Sequence, residues 1–465
     1  LVSDRRLAPE PAEARGFSSG RVSACHGPAR LLPLMWPDMH PRHEGLPAIG
    51  TVLTVLALAA VPGLAATQAP PAPPVEQFVA RALTNAPSIE AKRARIGAAT
   101  QALTAADALP DPTIAFEYRA VDFPKYTIGS EPGSMLGASY RQDMLSKGRR
   151  DSRRAVAEAE LARNRAELAL SETTLATSVR VLYASLFAID RERETLDAAG
   201  ELLEMLEATA TARYAAGESD QASVLRVQLE RSRLGERRAD VENDRVAVQA
   251  ALNRLTNDPP DTPVGVVDVL PDAPLPEAIL ERAPALDRSP ELALRRAGFD
   301  VASEKVAQAK ADTHLGWSLG AGLYWQGGWG RMATFSVGLE LPIWKTRKQL
   351  PLVAAAERER RAAELDLADA SAEIQAEALK LVEAWKTACV QVERYQSAIL
   401  PQNSAALDAT RTSYLVGRGD FVSVLEEFRN WIDVRVGLAR READRYTAQA
   451  RLEALVAPET GLQSK

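Results

Sequence analysis

Tyr214-Ala-Ala-Gly217-Glu-Ser-Asp220-Gln-Ala-Ser223-Val224-Leu225 recurs as Tyr414-Leu-Val-Gly417-Arg-Gly-Asp420-Phe-Val-Ser423-Val424-Leu425, 200 positions later and without a gap. Tyr, Gly, Asp, Ser, Val and Leu keep their places. The same offset pairs Arg245 with Arg445, Gln249-Ala250 with Gln449-Ala450, and Leu252 and Leu255 with Leu452 and Leu455. Self-similarity at this distance marks a duplicated structural unit. In each copy the Gly supplies the left-handed backbone that ends one helix. Ser219 or Asp220 then caps the next helix in the first copy, so the motif closes a helical hairpin.

Working outward, the first copy is expected over 67–258 and the second over 277–465, joined by a Pro-rich linker at 259–276. Each copy opens with a helix that carries Pro in its first turn and an acid just inside (Pro87 and Glu90, Pro290 and Glu291), a common helix start. Two short alternating runs follow, then a very long helix (150–212 and 350–412) and its partner (220–256 and 420–456). Leu161, Leu168, Leu175, Leu182, Ile189, Leu196 and Leu203 fall at intervals of seven without a miss. A strict seven-residue repeat makes helices supercoil against neighbours. About 63 residues at ~1.5 Å each give a rod of roughly 95 Å. Pro401 interrupts the second long helix and is expected to bend it. An ordinary two-stranded coiled coil would show the same periodicity.

The alternating runs are 113–119 and 134–143 in the first copy, 317–326 and 334–343 in the second. Trp317, Leu319, Ala321, Leu323 and Trp325 alternate with Ser318, Gly320, Gly322, Tyr324 and Gln326. Phe335, Val337, Leu339 and Leu341 alternate with Thr334, Ser336, Gly338 and Glu340, and Ile114, Phe116 and Tyr118 with Ala115 and Glu117. One apolar and one polar face, with Trp at the ends, is the pattern of a transmembrane β-strand. A soluble half-buried hairpin gives the same alternation. Four strands cannot close a barrel, and lipid does not tolerate open edges, so membrane strands here would require several chains to share one barrel.

The 465 residues carry a formal net charge of −6, which is unlike a nucleic-acid binder. The apolar run from Leu46 to Leu64, ending Gly63-Leu64-Ala65-Ala66, reads as a secretory signal at 39–66, with a membrane anchor as the competing reading. Residues 1–38 are expected to be upstream sequence. Cleavage would leave Cys389 and His314 as the only cysteine and histidine, so neither an intrachain disulfide nor a His/Cys metal site is expected. No cofactor is expected. The sequence holds no Gly-rich phosphate loop and no nucleophile elbow, and its carboxylates are scattered along helical surfaces, which argues against an enzyme.

With the duplicated order of helix, two strands and two helices in hand, the chain resembles the TolC-like outer-membrane efflux channels. The resemblance rests on that order and on the Tyr-x-x-Gly turn followed by Val-Leu. It also rests on Leu109-Pro110-Asp111-Pro112 before the first strand, Leu341-Pro342-Ile-Trp344 ending the fourth, and Lys147-Gly148-Arg149-Arg150 opening the long helix. The loop holding Phe123-Pro124, with Gln142 and Lys147-Gly148-Arg149, is similar to the heavy-metal efflux branch.

The resemblance implies a mainly α fold with a small β part and an internal two-fold repeat. Three chains, each giving four strands, would share one transmembrane β-barrel in the outer membrane. Their helices would form a long coiled-coil α-helical barrel in the periplasm. Segments 67–85, 258–285 and 457–465 would belt its middle. The chain would be a passive duct, partnered by a periplasmic adaptor (membrane fusion) protein and an inner-membrane efflux pump of the RND type. The paired turns would form the periplasmic tip and gate, drawing on Tyr214, Gly217, Asp220, Ser223, Tyr414, Gly417, Arg418, Asp420, Ser423 and Glu426. Family members often place Asp before Val-Leu and another acid after it, forming acidic rings; Ser223 and Ser423 stand at the first position in this sequence and Glu426 keeps the second. The resemblance implies a ring of Tyr414 and charges as the constriction, a solvated helix surface being the other reading of those charges. The reading of a different class is a periplasmic or surface coiled-coil scaffold or adhesin, which would not need four amphipathic strands.

Overall fold

The computed structural model describes residues 70–271 and 286–456. The expected upstream segment, the signal at 39–66, the far part of the linker and the stretch 457–465 lie outside the described residues.

The first copy begins with α1 (Val75–Asn85) and α2 (Pro87–Ala106), then β1 (Thr113–Arg119) and β2 (Met135–Met144), α3 (Lys147–Ala215) and α4 (Gln221–Thr256). The second has α5 (Pro290–Ala311), β3 (Gly316–Trp325), β4 (Arg331–Glu340), α6 (Gln349–Arg394), α7 (Leu400–Leu415) and α8 (Phe421–Leu455). Pro stands in the first turn of both α2 and α5, where its missing N–H leaves no bond unmade. Ser146 caps α3 by accepting from the Arg149 N–H.

Helix α3 runs 69 residues without a break, roughly 100 Å. Two shorter helices share its length. Lys92 and Arg93 of α2 pair with Glu167 and Glu172, and Arg154 pairs with Asp107, so α2 lies along the first half. Arg231, Arg237 and Arg245 of α4 pair with Glu207, Glu192 and Asp190, so α4 lies along the second. Helix α3 also joins the copies: Lys305 of α5 pairs with Glu160, and Glu453 and Arg440 of α8 pair with Arg180 and Glu192.

The heptad residues Leu161, Leu196 and Leu203 are buried within the single chain. Leu175, Leu182 and Ile189 pack against the cores from half-buried positions. One core fills the hairpin ends, where Leu196, Leu203 and Leu206 meet Val227, Leu407, Val424, Leu425 and Phe428. A second gathers Phe78, Val179, Tyr183, Phe187, Leu252, Val264 and Val267 at mid-length. There Pro71 bridges Val266 in parallel, and Asp190 fastens the segment by accepting from the Val267 N–H and the Arg245 guanidinium.

Pro401 lies in the first turn of α7, directly after a π turn at Tyr395–Ile399 where the Leu400 N–H reaches the Tyr395 carbonyl. Proline cannot donate to the fourth carbonyl before it, and widening the preceding turn keeps the chain helical. The first copy has no such turn within α3.

Strand β4 starts at Arg331 and stops at Glu340, earlier at both ends than the alternation suggested. Pro342 cannot extend a ladder, and the Ile343 N–H turns back to the Leu341 carbonyl. The four strands form one antiparallel sheet in the order β1-β2-β3-β4, so β2 and β3 join the two copies.

Candidate functional site

Two surfaces stand out, at opposite ends of the long helices. The first is the pair of turns between α3 and α4 and between α7 and α8. Gly217 and Gly417 have φ of +73° and +76°, and each ends its helix in the same way. The Gly217 N–H donates to Tyr214 O at 3.0 Å and Glu218 N–H to Arg213 O at 2.9 Å; Gly417 and Arg418 bond Tyr414 O and Ser413 O at 3.1 and 2.9 Å. This double bond pattern with a left-handed Gly is the Schellman closure.

The side chains differ where the backbones agree. Tyr214 is 47% exposed, whereas Tyr414 is 3% exposed. Phe421, which replaces Gln221, gives Tyr414 an aromatic partner at 5.1 Å between centroids, and Arg213 from the first turn covers the ring at 4.8 Å. Tyr414 is core to the hairpin end, and its hydroxyl is buried without a hydrogen-bond partner among the described residues. Asp220 caps α4, accepting from the Ser223 N–H at 3.1 Å and its hydroxyl at 2.7 Å. Those two bonds hold the Asp220 carboxyl below its usual range. Asp420 makes no such cap. Ser223 is buried, while Ser423, Arg418, Asp420 and Glu426 are exposed beside Gly417.

Sequence reading missed the ties between the turns. Arg213 donates to the Tyr414 carbonyl and stands 3.7 Å from Glu218. Deeper, Glu230 of α4 is buried and held by Arg429 of α8, with Nε at 3.0 Å; that bond and the nearby Glu426 raise the Arg429 pKa. Glu230 and Arg429 lie one position off the repeat offset, so no aligned pair signals them.

The second surface is the sheet. Register places Tyr118, Leu136 and Trp325 in one row, and Phe116, Ala138, Leu323 and Ala333 in the next. Rows Ile114-Tyr140-Ala321-Phe335 and Leu319-Val337 continue the same face to Trp317 and Leu339. Nothing among the described residues covers this face: Phe116 is 85% and Phe335 87% exposed. Trp325 and Trp317 stand eight residues apart, ~26 Å along the strand, or ~20 Å after a ~40° tilt. That is close to the ~25 Å apolar band of outer-membrane barrels.

The opposite face is polar. Glu117 accepts from Ser139 at 2.9 Å and from the Tyr324 hydroxyl at 3.2 Å. Tyr324 lies over Gly137 and Gly322; a Cβ on Gly137 would fall 2.5 Å from its ring. The outer edges of β1 and β4 pair with no strand among the described residues. No described helix is long and apolar enough to cross a membrane. Among the described residues, no group of three or more His, Cys, Asp or Glu is placed to hold a metal ion.

Residues 78–258 and 283–457 match the family described as outer membrane efflux protein. Among solved structures, the outer membrane protein VceC of Vibrio cholerae is similar at a TM-score of 0.70 and 17% identity, over 82% of this chain and 95% of that one. The outer membrane channel CmeC of Campylobacter jejuni gives 0.70 and 14%, over 82% and 85%. The open state of the outer membrane channel MtrE of Neisseria gonorrhoeae gives 0.64 and 16%, over 82% and 88%. At these identities the likeness speaks for the fold. A comparison with curated proteins found no match.

Proposed function

This chain belongs to the outer membrane efflux protein family, and on that premise we propose that it is the outer-membrane duct of a tripartite efflux assembly. It resides in the outer membrane of a Gram-negative-type cell and extends into the periplasm. In our reading three copies join β4 of one chain to β1 of the next and close a shared barrel. The α3 hairpin and its repeat form a helical conduit beneath it. An inner-membrane pump of the RND type supplies the energy, and a periplasmic adaptor meets the paired turns. The cargo is a drug, a metal ion or another small molecule.

The observation that carries this reading is the uncovered apolar sheet face ending in two unpaired edges. In water such a face and edge would drive aggregation. In lipid the face is satisfied, and only closure satisfies the edges. A coiled-coil scaffold would leave both without a purpose. Around the three-fold axis each exposed charge at the second turn is present three times, so passage is controlled by steric and electrostatic rings. Arg418, Asp420, Ser423 and Glu426 are our lining candidates, and the buried Tyr414 supports them from behind.

Cysteines placed in pairs on β1 and β4 of a Cys389→Ser chain test the closure. Oxidation of membrane fractions should give a ladder ending at three copies. Exclusively monomeric protein across all pairs would overturn the shared barrel.

A further inference from the structure

Where the sheet meets the helices, two basic segments lie side by side. Lys147, Arg150 and Arg153 occupy the first turns of α3, three residues beyond the end of β2. Lys345, Arg347 and Lys348 follow β4. Arg149 joins the segments: it approaches Glu340 at the end of β4 to 3.5 Å and donates to the His314 carbonyl just before β3 at 2.6 Å. Strands β2 and β4 are separated only by β3, about 10 Å.

Arg149 and Arg154 spend their charge on Asp312, Glu340, Glu158 and Asp107. None of the other six has a carboxylate within ion-pair distance among the described residues, and Asp151 is the acid within their own stretch. The segment after β4 has a fixed shape. Lys345 N–H bonds Pro342 O, Arg347 and Lys348 N–H both bond Trp344 O, and Leu350 N–H bonds Lys345 O. Leu341, Ile343 and Trp344 in this segment are exposed just after the apolar strand β4, and Lys345, Arg347 and Lys348 follow them directly in the chain.

An apolar foot with an aromatic anchor and unneutralised cations at its base is the chemistry of a membrane–water interface. We propose that Lys147, Arg150, Arg153, Lys345, Arg347 and Lys348 form a collar that binds the phosphate headgroups of anionic phospholipids in the leaflet facing the helices. Charge complementarity selects an anionic headgroup over a zwitterionic one, and continuity with the lipid-facing sheet selects a bilayer lipid as the occupant. The proposal rests on the outer-membrane orientation given above. The collar anchors the barrel's depth and ties its lower rim to the first turns of α3 and α6.

The test uses the full chain reconstituted into vesicles of phosphatidylcholine alone or with phosphatidylglycerol, then extracted for native mass spectrometry. Wild type should retain phosphatidylglycerol in preference, less so as salt is raised. K345Q/R347Q/K348Q keeps the backbone bonds of the turn and should lose at least tenfold of that preference, since each cation near the surface is worth roughly fivefold. K147Q/R150Q/R153Q gives a second, independent loss. Circular dichroism and oligomer migration on gels establish that each variant is folded. Inserted wild type without preference, or folded variants retaining full preference, would overturn the collar. Failure of wild type to insert into either vesicle would overturn the orientation beneath it.

Discussion

Arg213 grips Tyr414 across the two copies: its guanidinium lies 4.8 Å from the ring centroid and donates to the Tyr414 carbonyl. One helix-ending turn thereby holds the other. The tyrosine is part of the core and its hydroxyl finds no partner there.

Tyr414→Phe should leave stability unchanged or raise it by about 1 kcal/mol, because it removes an unsatisfied buried hydroxyl. Tyr414→Ala should cost about 3–5 kcal/mol through the lost ring. Thermal melting of the purified protein distinguishes them; a Phe variant as damaged as the Ala variant would mean that the hydroxyl is bonded.

Gly419 and Gly417 should respond differently to Ala. At Gly417 the strain is conformational, about 1 kcal/mol, and the new Cβ meets the Arg213 guanidinium at an ordinary 3.5 Å. At Gly419 the Cβ would fall 2.9 Å from the Tyr414 backbone nitrogen, so the turn itself must move. Gly419→Ala should therefore be the more damaging in melts and in export. The reverse order would contradict this turn geometry.

Arg429→Met should destabilise by about 1–3 kcal/mol, leaving Glu230 buried with Arg233 as its remaining cation. Arg429 is half exposed, so the low end is expected. Glu230→Gln in the Arg429→Met background should recover part of the loss. Additive losses in the double-mutant cycle would show that the two residues do not interact.

Alkaline stability should depend on Tyr446. Burial pushes its phenol up to about 12, and burial also raises that of Tyr183 beside it. A folded value above the ordinary ~10 means the fold favours the neutral phenol. The contribution is complete below about pH 10 and is lost as pH rises through 12. Melting temperature should fall across that window, and less steeply in Tyr446→Phe. An identical slope would remove Tyr446 from the linkage.

Much of this architecture was legible in the chain because two periodicities carry it. The seven-residue leucine stripe of α3 and the two-residue alternation of β3 each follow from one buried or lipid-facing side. The doubled Gly turn gave away the duplication. Side-chain asymmetry was harder to read. Tyr214 and Tyr414 align, yet one is exposed and one buried, because Phe421 stands where the first copy has Gln221. Asp220 and Asp420 also align, and one caps its helix while the other does not. Such differences arise from contacts between copies, such as Arg213 with Tyr414, which lie about 200 residues apart and leave no local pattern. The π turn before Pro401 was legible as an interruption; its form depends on hydrogen bonding the sequence does not display.

In the proposed assembly, copies of this chain enclose a water-filled path through lipid. Planar-bilayer recording of the purified, membrane-extracted protein tests it most directly. We predict discrete conductance steps, with cation preference reduced in Asp420→Asn/Glu426→Gln. Absence of any conductance from protein shown to be inserted in the bilayer would contradict the claim.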